Sequence, residues 1–269
     1  MIGFIHLRNI ECAGTIGAGE RFNFHLNKNS EGFRTRNCFF LRKLLRMQWS
    51  ADKALVFGAR GLIGSQLVKQ LVQNERYKEV ILFTRKPLNV TTPKVRVVEF
   101  DFNRWEGVEN HFTPNAQVFC TIGTTRAQTP DLEAYKNIDY GIPVKLAEFA
   151  ARGSCRGFLV ISAIGANEHS FNFYQRIKGE MERDVQSKGV RETYIFRPSL
   201  LLGKRAETRR GEDFGRMINS LVSPILFGSL KKYKGVEAEV VARAMMHVAM
   251  NGYRETILTN DKILELGNA

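Results

Sequence analysis

The chain has 269 residues, 43% of them hydrophobic, and a formal net charge of +13. That is enough apolar material for one large α/β domain or two small ones, while no apolar run approaches the roughly 20 residues that span a bilayer. The four cysteines, Cys12, Cys38, Cys120 and Cys155, lack CxxC spacing and give no support to a disulfide framework or a metal site; the positive charge is spread along the chain with no recognisable nucleic-acid module, which favours anionic ligands over nucleic acid.

Residues 1–50 differ from the remainder. They hold eight Arg or Lys against three acids, with no clear periodicity before Phe39. Three readings compete: a start assigned too early, with Met47 the true beginning; an Arg-rich transit peptide; or a disordered basic tail. Phe39 to Arg46 also reads as a short basic amphipathic segment suited to a membrane surface. The expected division is therefore 1–50 as an extension and 51–269 as the domain. Ordinary thiols point to a reducing, cytoplasmic setting, with a mitochondrial or membrane-surface location as the alternative if the basic segment is real.

From residue 53 the pattern alternates. Apolar β-type runs at 53–58, 79–84, 95–100, 116–121, 157–162 and 193–197 are separated by segments of helical spacing, which predicts an α/β fold with a doubly wound parallel sheet. The first run leads into Gly58-Ala59-Arg60-Gly61-Leu62-Ile63-Gly64 and then into a helix with Leu62, Ile63, Leu67, Val68, Leu71 and Val72 on one stripe. Strand, glycine turn and helix make a phosphate site: the glycines allow a tight turn, a close backbone approach to a pyrophosphate and close helix–strand packing, and the helix N-terminus presents unpaired N–H groups. A tight turn without a ligand is the competing explanation of the same residues.

At the end of the second run, where an NAD-preferring site places an acid for the ribose 2′-hydroxyl, the chain reads Thr84-Arg85-Lys86. A guanidinium fork and an ammonium suit a 2′-phosphate, which predicts NADP (NADPH) as cofactor, and Arg60 is placed to reach the same group. Asp101-Phe102 ends the third run and is expected to bond and cover the adenine; Ile122-Gly123-Thr124 ends the fourth and brings backbone to the ribose and diphosphate. A single helix from about 131 to 151 is expected to bury Leu132, Tyr135, Ile138, Val144, Leu146 and Phe149 and to end before Gly153.

The fifth run ends in Ser162-Ala163-Ile164-Gly165-Ala166-Asn167, and beyond it comes Tyr174-Gln175-Arg176-Ile177-Lys178. Spacing of i, i+4 puts Tyr174 and Lys178 on one helical face. A neighbouring ammonium stabilises a phenolate and moves a tyrosine toward the working range of a general acid or base. The expected chemistry is reversible hydride transfer to or from a small carbonyl or alcohol. Tyr174 exchanges the proton, Lys178 tunes it and bonds the nicotinamide ribose, and Ser162 orients the carbonyl, unless its hydroxyl merely bonds locally. Helical patterns near 213–229 and 235–250, the second with Val236, Val240, Val241, Ala244, Met245 and Val248 on its apolar side, are expected to cover the cleft as a small C-terminal substrate-side portion. Arg126, Arg197 and Arg209 approach the rim, where they suit an anionic substrate group or serve as solvated or structural arginines.

Taken together, the glycine turn, Arg85-Lys86, Cys120 to Arg126, Ser162 to Asn167, the YxxxKGE run, Phe196-Arg197-Pro198, Arg205 to Glu212 and Leu264 to Gly267 make the chain resemble the atypical short-chain dehydrogenase/reductases. Within them it is most similar to the Tat-interacting protein oxidoreductase family, over about residues 52–269. The resemblance implies a single NADP-binding Rossmann domain with Tyr174 as active-site residue and Lys178 beside it. It also implies cofactor contacts from Arg60 to Ile63 and from Arg85, Lys86, Ile122, Gly123, Leu201 and Arg209. Two departures stand out: Ser162-Ala163 where the family often has paired serines, and the bulky Arg60 where a small residue is common. Two other functions fit the same residues: an NADPH-sensing protein acting on a regulatory partner without turnover, and an NAD-dependent nucleotide-sugar epimerase or dehydratase, which Arg85-Lys86 and the short C-terminal portion disfavour.

Overall fold

The computed structural model describes residues 51–202 and 235–269, together with the backbone of 12–16 and 20–24. The chain divides into two units, Met1–Gln48 and Trp49–Ala269. In the first, β1 (Cys12–Ile16) and β2 (Glu20–Phe24) pair antiparallel, Cys12 opposite Phe24.

The second unit is built on seven parallel strands. In chain order these are β3 (Lys53–Phe57), β4 (Glu79–Thr84), β5 (Val95–Glu99), β6 (Ala116–Cys120), β7 (Gly157–Ile161), β8 (Thr193–Arg197) and, numbered last for its place in the chain, β11 (Ile257–Thr259). Across the sheet they run β11-β8-β7-β6-β3-β4-β5. The six strands expected from sequence are all present, each ending within one residue of its expected limit. The seventh was not expected, because three residues are too few to display a period.

The central strands β6 and β7 are buried at every position, as apolar runs covered on both faces must be. Alternate residues feed two cores. Val56, Leu82 and Phe119 pack on one side with α1 (Leu62–Gln73), α5 (Ala238–Asn251) and α6 (Asn260–Gly267). Leu55, Phe57, Ile81, Phe83 and Val118 pack on the other with α3 (Ile142–Arg152) and α4 (Phe173–Ser187). The second core is rich in rings: Phe57 stacks on Phe83 with centroids 4.3 Å apart, and Phe100, Phe102, Trp105, Phe112 and Phe149 extend the cluster. Phe102 belongs to this cluster and is half-buried in it.

Two further expectations are corrected. The segment around 235–250 does not cover the cleft: Val236 lies in β10 (Val236–Glu237), which pairs with β9 (Leu201–Leu202), and α5 lies on the sheet beside α1 and α6. The helix expected over 131–151 runs from Leu132 to Arg152 but is not uniform. It comprises α2 (Leu132–Lys136), a π turn (Asn137–Gly141) and α3, and Leu132 is exposed rather than buried. The cause is Pro143. Without an N–H it cannot donate to the carbonyl of Asp139, four residues back, and just before it the ladder widens so that the Ile142 N–H reaches Asn137 O, five residues back.

Candidate active site

The strand order reverses at β3. From there the chain builds outward through β4 and β5 on one side and through β6 to β11 on the other, so the segments leaving β3 and β6 diverge and open a crevice at the C-terminal edge of the sheet. The glycine turn occupies this place. Gly58 has φ +93°, and a Cβ there would lie 2.7 Å from Thr121 Oγ1 and 2.9 Å from the Ile122 amide nitrogen. Thr121 Oγ1 donates within reach of Phe57 O (3.1 Å) and Gly58 O (3.2 Å), tying the two diverging segments together. At Gly64 a Cβ would lie 2.1 Å from Gly58 O, so the first turn of α1 rests directly on the backbone of the strand exit. Gly61 caps α1, no side chain bonds its first amides, and no acid lies in its first turn. Those amides, in a concavity that admits no side chain, fit a pyrophosphate.

Around this cradle lie the other expected contacts. Arg60 and Gly61 are exposed, Leu62 is half-buried, and Ile63 turns its side chain into the core, so that it offers a ligand only its amide. Beyond β4, Thr84 is buried and donates to Lys86 O at 2.8 Å, curling the backbone so that Arg85 and Lys86 stand exposed. Asp101 is exposed and accepts from the Asn103 backbone N–H and side-chain amide, both at 3.0 Å. Ile122 is half-buried and Gly123 exposed just past β6, and Leu201 is half-buried in β9. Arg209, the Arg205 to Glu212 run and the 213–229 segment lie outside the described residues.

The residues expected to form the reaction centre lie at the start of α4 and one turn into it. Asn172 caps the helix by accepting from the Tyr174 and Gln175 amides (3.0 and 3.2 Å), and this puts Tyr174 in the first turn with its ring 39% exposed. One turn on, Lys178 is 3% exposed. Its Nζ lies 2.7 Å from Oδ1 of Asp139, which is 1% exposed, and Asp139 Oδ2 accepts from the Thr124 amide at 2.9 Å. Asp139 is a buried partner of Lys178 that the sequence did not single out. The π turn carries it, and Pro143 inside an otherwise helical pattern was the available signal.

These neighbours set the protonation of the centre. Burial pushes the Tyr174 phenol up; the Lys178 ammonium pulls it down and the Asp139 carboxylate pushes it up, leaving it above the ordinary tyrosine value. Burial alone would lower Lys178, but Asp139, Tyr174 and the Asp139 hydrogen bond outweigh it, and the ammonium is held above its usual range. The expected net lowering of Tyr174 by its lysine is therefore reversed: at neutral pH the site holds a phenol and a neutralised ion pair, an arrangement that can deliver a proton.

Ser162 was expected to face the substrate. It is 4% exposed and its Oγ donates to Glu182 Oε1 at 2.5 Å, while Glu182 also receives the Arg197 guanidinium. The hydroxyl therefore bonds within a buried network under α4, and the Arg197 charge is paired there rather than offered to a ligand. Arg126 is exposed and donates to Pro130 O at 2.7 Å. Among the described residues there is no cluster of three His, Cys, Asp or Glu able to hold a metal, and no helix long and apolar enough to cross a membrane.

A family model described as NAD(P)H-binding matches residues 58–222, beginning at the first glycine of the turn. The chain belongs to this NAD(P)H-binding family. It also belongs with the FMP52 proteins. It is 31% identical over 202 residues to "Protein FMP52, mitochondrial" of Debaryomyces hansenii, covering 73% of this chain and 87% of the relative. The Aspergillus fumigatus protein of the same name is 32% identical over 206 residues, with 74% and 87% covered. Among solved structures the fold is shared with a UDP-N-acetylglucosamine 4-epimerase of Methanobrevibacter ruminantium (TM-score 0.59, 16% identity, 80% and 81% covered) and with human epimerase family protein SDR39U1 bound to NADPH (TM-score 0.51, 18% identity, 78% and 77% covered). The domain is thus an NAD(P)-binding Rossmann fold. Both relatives carry the word mitochondrial in their names, whereas the expectation for this chain is a cytoplasmic setting with a mitochondrial alternative.

Proposed function

We propose that the chain is an NADP-dependent oxidoreductase of the atypical short-chain dehydrogenase/reductase type, akin to the Tat-interacting protein oxidoreductases, that reduces a small carbonyl compound in mitochondria. The observation that carries this is the position of Tyr174 at the head of α4, one turn before Lys178 and on the same sheet edge as the glycine cradle. Bound NADPH supplies two electrons and a hydrogen to the carbonyl carbon. The chain's own residues supply the rest. The α1 amides and the glycine turn hold the pyrophosphate, Arg85, Lys86 and Arg60 bind the 2′-phosphate, and Ile122-Gly123 support the ribose. Tyr174 Oη delivers the proton to the carbonyl oxygen, and Lys178 keeps a positive charge beside the phenol as it ionises.

The test is Tyr174→Phe, assayed by NADPH consumption with a panel of small aldehydes and ketones and by NADPH binding through fluorescence. Turnover should fall by about 10²- to 10⁴-fold, the usual worth of a positioned acid, with affinity for NADPH unchanged. Undiminished turnover in the variant refutes the assignment, and equal affinity for NADPH and NADH refutes the choice of cofactor.

A further inference from the structure

We propose that Asp139 is a positioning residue that holds the reaction centre in its proton-loaded form, by neutralising Lys178 and fixing the ammonium against the loop that leaves β6. The proposal rests on the reading of Tyr174 as proton donor. Its first support is geometric. Asp139 uses both carboxylate oxygens, one on Lys178 Nζ at 2.7 Å and one on the Thr124 N–H at 2.9 Å, so one buried side chain couples α4 to the Ile122–Thr124 segment. The turn that carries it is anchored a second time, because Tyr140 Oη donates to Asp184 Oδ2 at 2.7 Å further along α4. An uninterrupted helix would rotate residue 139 by about 100° relative to the residues beyond the turn, so the π turn is what brings this carboxylate to the lysine.

The second support is the charge balance of the site. Facing Tyr174 are Lys178 on its own helix and Asp139 on the π turn, with Tyr135 of α2 close by; Arg126 faces Tyr135, and Cys120 at the end of β6 lies beside Lys178. With Lys178 and Asp139 both charged, the centre is neutral when Tyr174 is a phenol and carries a net negative charge when it is a phenolate. Remove the carboxylate and the balance inverts: the phenolate becomes the partner that the buried ammonium lacks. Asp139 thereby selects a proton donor over a resident phenolate, and the two protons of Tyr174 and Lys178 titrate as a coupled pair.

The test is a tyrosinate titration by ultraviolet difference absorbance on the full chain, with neither cofactor nor substrate, each protein referenced to its Y174F counterpart. Asp139→Asn should lower the Tyr174 midpoint by about one to three pH units, the usual effect of one nearby charge, and Asp139→Glu should return it toward the wild-type value. Equal midpoints in wild type and D139N overturn the proposal, as does a D139E protein that titrates like D139N. Should D139N fail to fold, K178M is compared with the K178M/D139N double variant, which leaves no buried charge unpaired: a lower midpoint in the double variant supports the proposal, and equal midpoints overturn it. Because no turnover is read, failure here leaves the reductase reading standing, and failure of the Y174F assay leaves this result interpretable.

Discussion

Gly64→Ala sets two physical effects against each other at one atom. Gly64 lies inside α1, where alanine is the better helix former by about 1 kcal/mol, so propensity alone predicts a more stable protein. The added methyl, however, would sit 2.1 Å from Gly58 O, 2.8 Å from Gly58 C and 2.7 Å from Thr121 Oγ1. Two of these are backbone atoms of the strand exit, and that exit is itself tied to the β6 side by Thr121. To reach an ordinary contact, α1 or the turn must shift by roughly 1 Å, and overpacking of that kind costs about 1–3 kcal/mol. Because the closest atom is backbone, the cost falls at the upper end, about 2–3 kcal/mol; the clash therefore wins, with a net loss of about 1–2 kcal/mol, or roughly 2–8 °C in Tm for a domain of this size. Thermal unfolding followed by circular dichroism measures the first effect, and titration with NADPH the second, since displacing α1 moves the amides that face the phosphates. Gly189→Ala is the control: Gly189 has φ +71° but nothing within 4 Å of its Cβ position, so it should pay only the left-handed strain of about 1–2 kcal/mol and bind NADPH normally. A G64A protein as stable as wild type with unaltered NADPH affinity would refute the reasoning.

Two other outcomes test the cofactor site and the core. Replacing Arg85 and Lys86 together by Glu should weaken NADPH binding by about ten- to a hundredfold, the worth of one or two hydrogen bonds to a charged group, and leave NADH binding little changed; a parallel loss for both nucleotides would show that these side chains do not read the 2′-phosphate. Tyr77→Phe should cost about 1–3 kcal/mol in denaturant unfolding, because the Tyr77 hydroxyl donates to Gln117 Oε1 at 2.6 Å and Gln117 Nε2 in turn donates to Ala249 O at 2.9 Å, joining sheet to α5 through buried polar atoms. A change under half a kilocalorie would indicate that water replaces the lost donor.

The sheet was legible because its inner strands are predominantly apolar runs of five or six residues bounded by turn residues. The cradle was legible for a related reason: three glycines at that spacing serve backbone needs that no other residue meets. What the sequence concealed depends on small shifts of phase. One widened turn at Asn137–Gly141 brings Asp139 inward, while the flanking residues still read as one periodic helix. Ser162 stands at the expected strand end, yet the side of the sheet its hydroxyl faces depends on Glu182, twenty positions away in the chain, and no local pattern reports such a partner. The same holds for Tyr174, whose proton affinity is set by the sum of three neighbours rather than by the adjacent lysine alone.

The two borders of the sheet have a consequence for how copies of this chain can associate. One border strand, β11, is only three residues long, and the other, β5, shows water Arg96 and Glu99, with Arg96 held 3.3 Å from Glu79 of the neighbouring strand. Neither offers the long, flat, uncharged row of amides and carbonyls on which a further strand could zip. Growth of this sheet from one molecule into the next is therefore disfavoured at both borders, which protects the domain from edgewise polymerisation through the described strands.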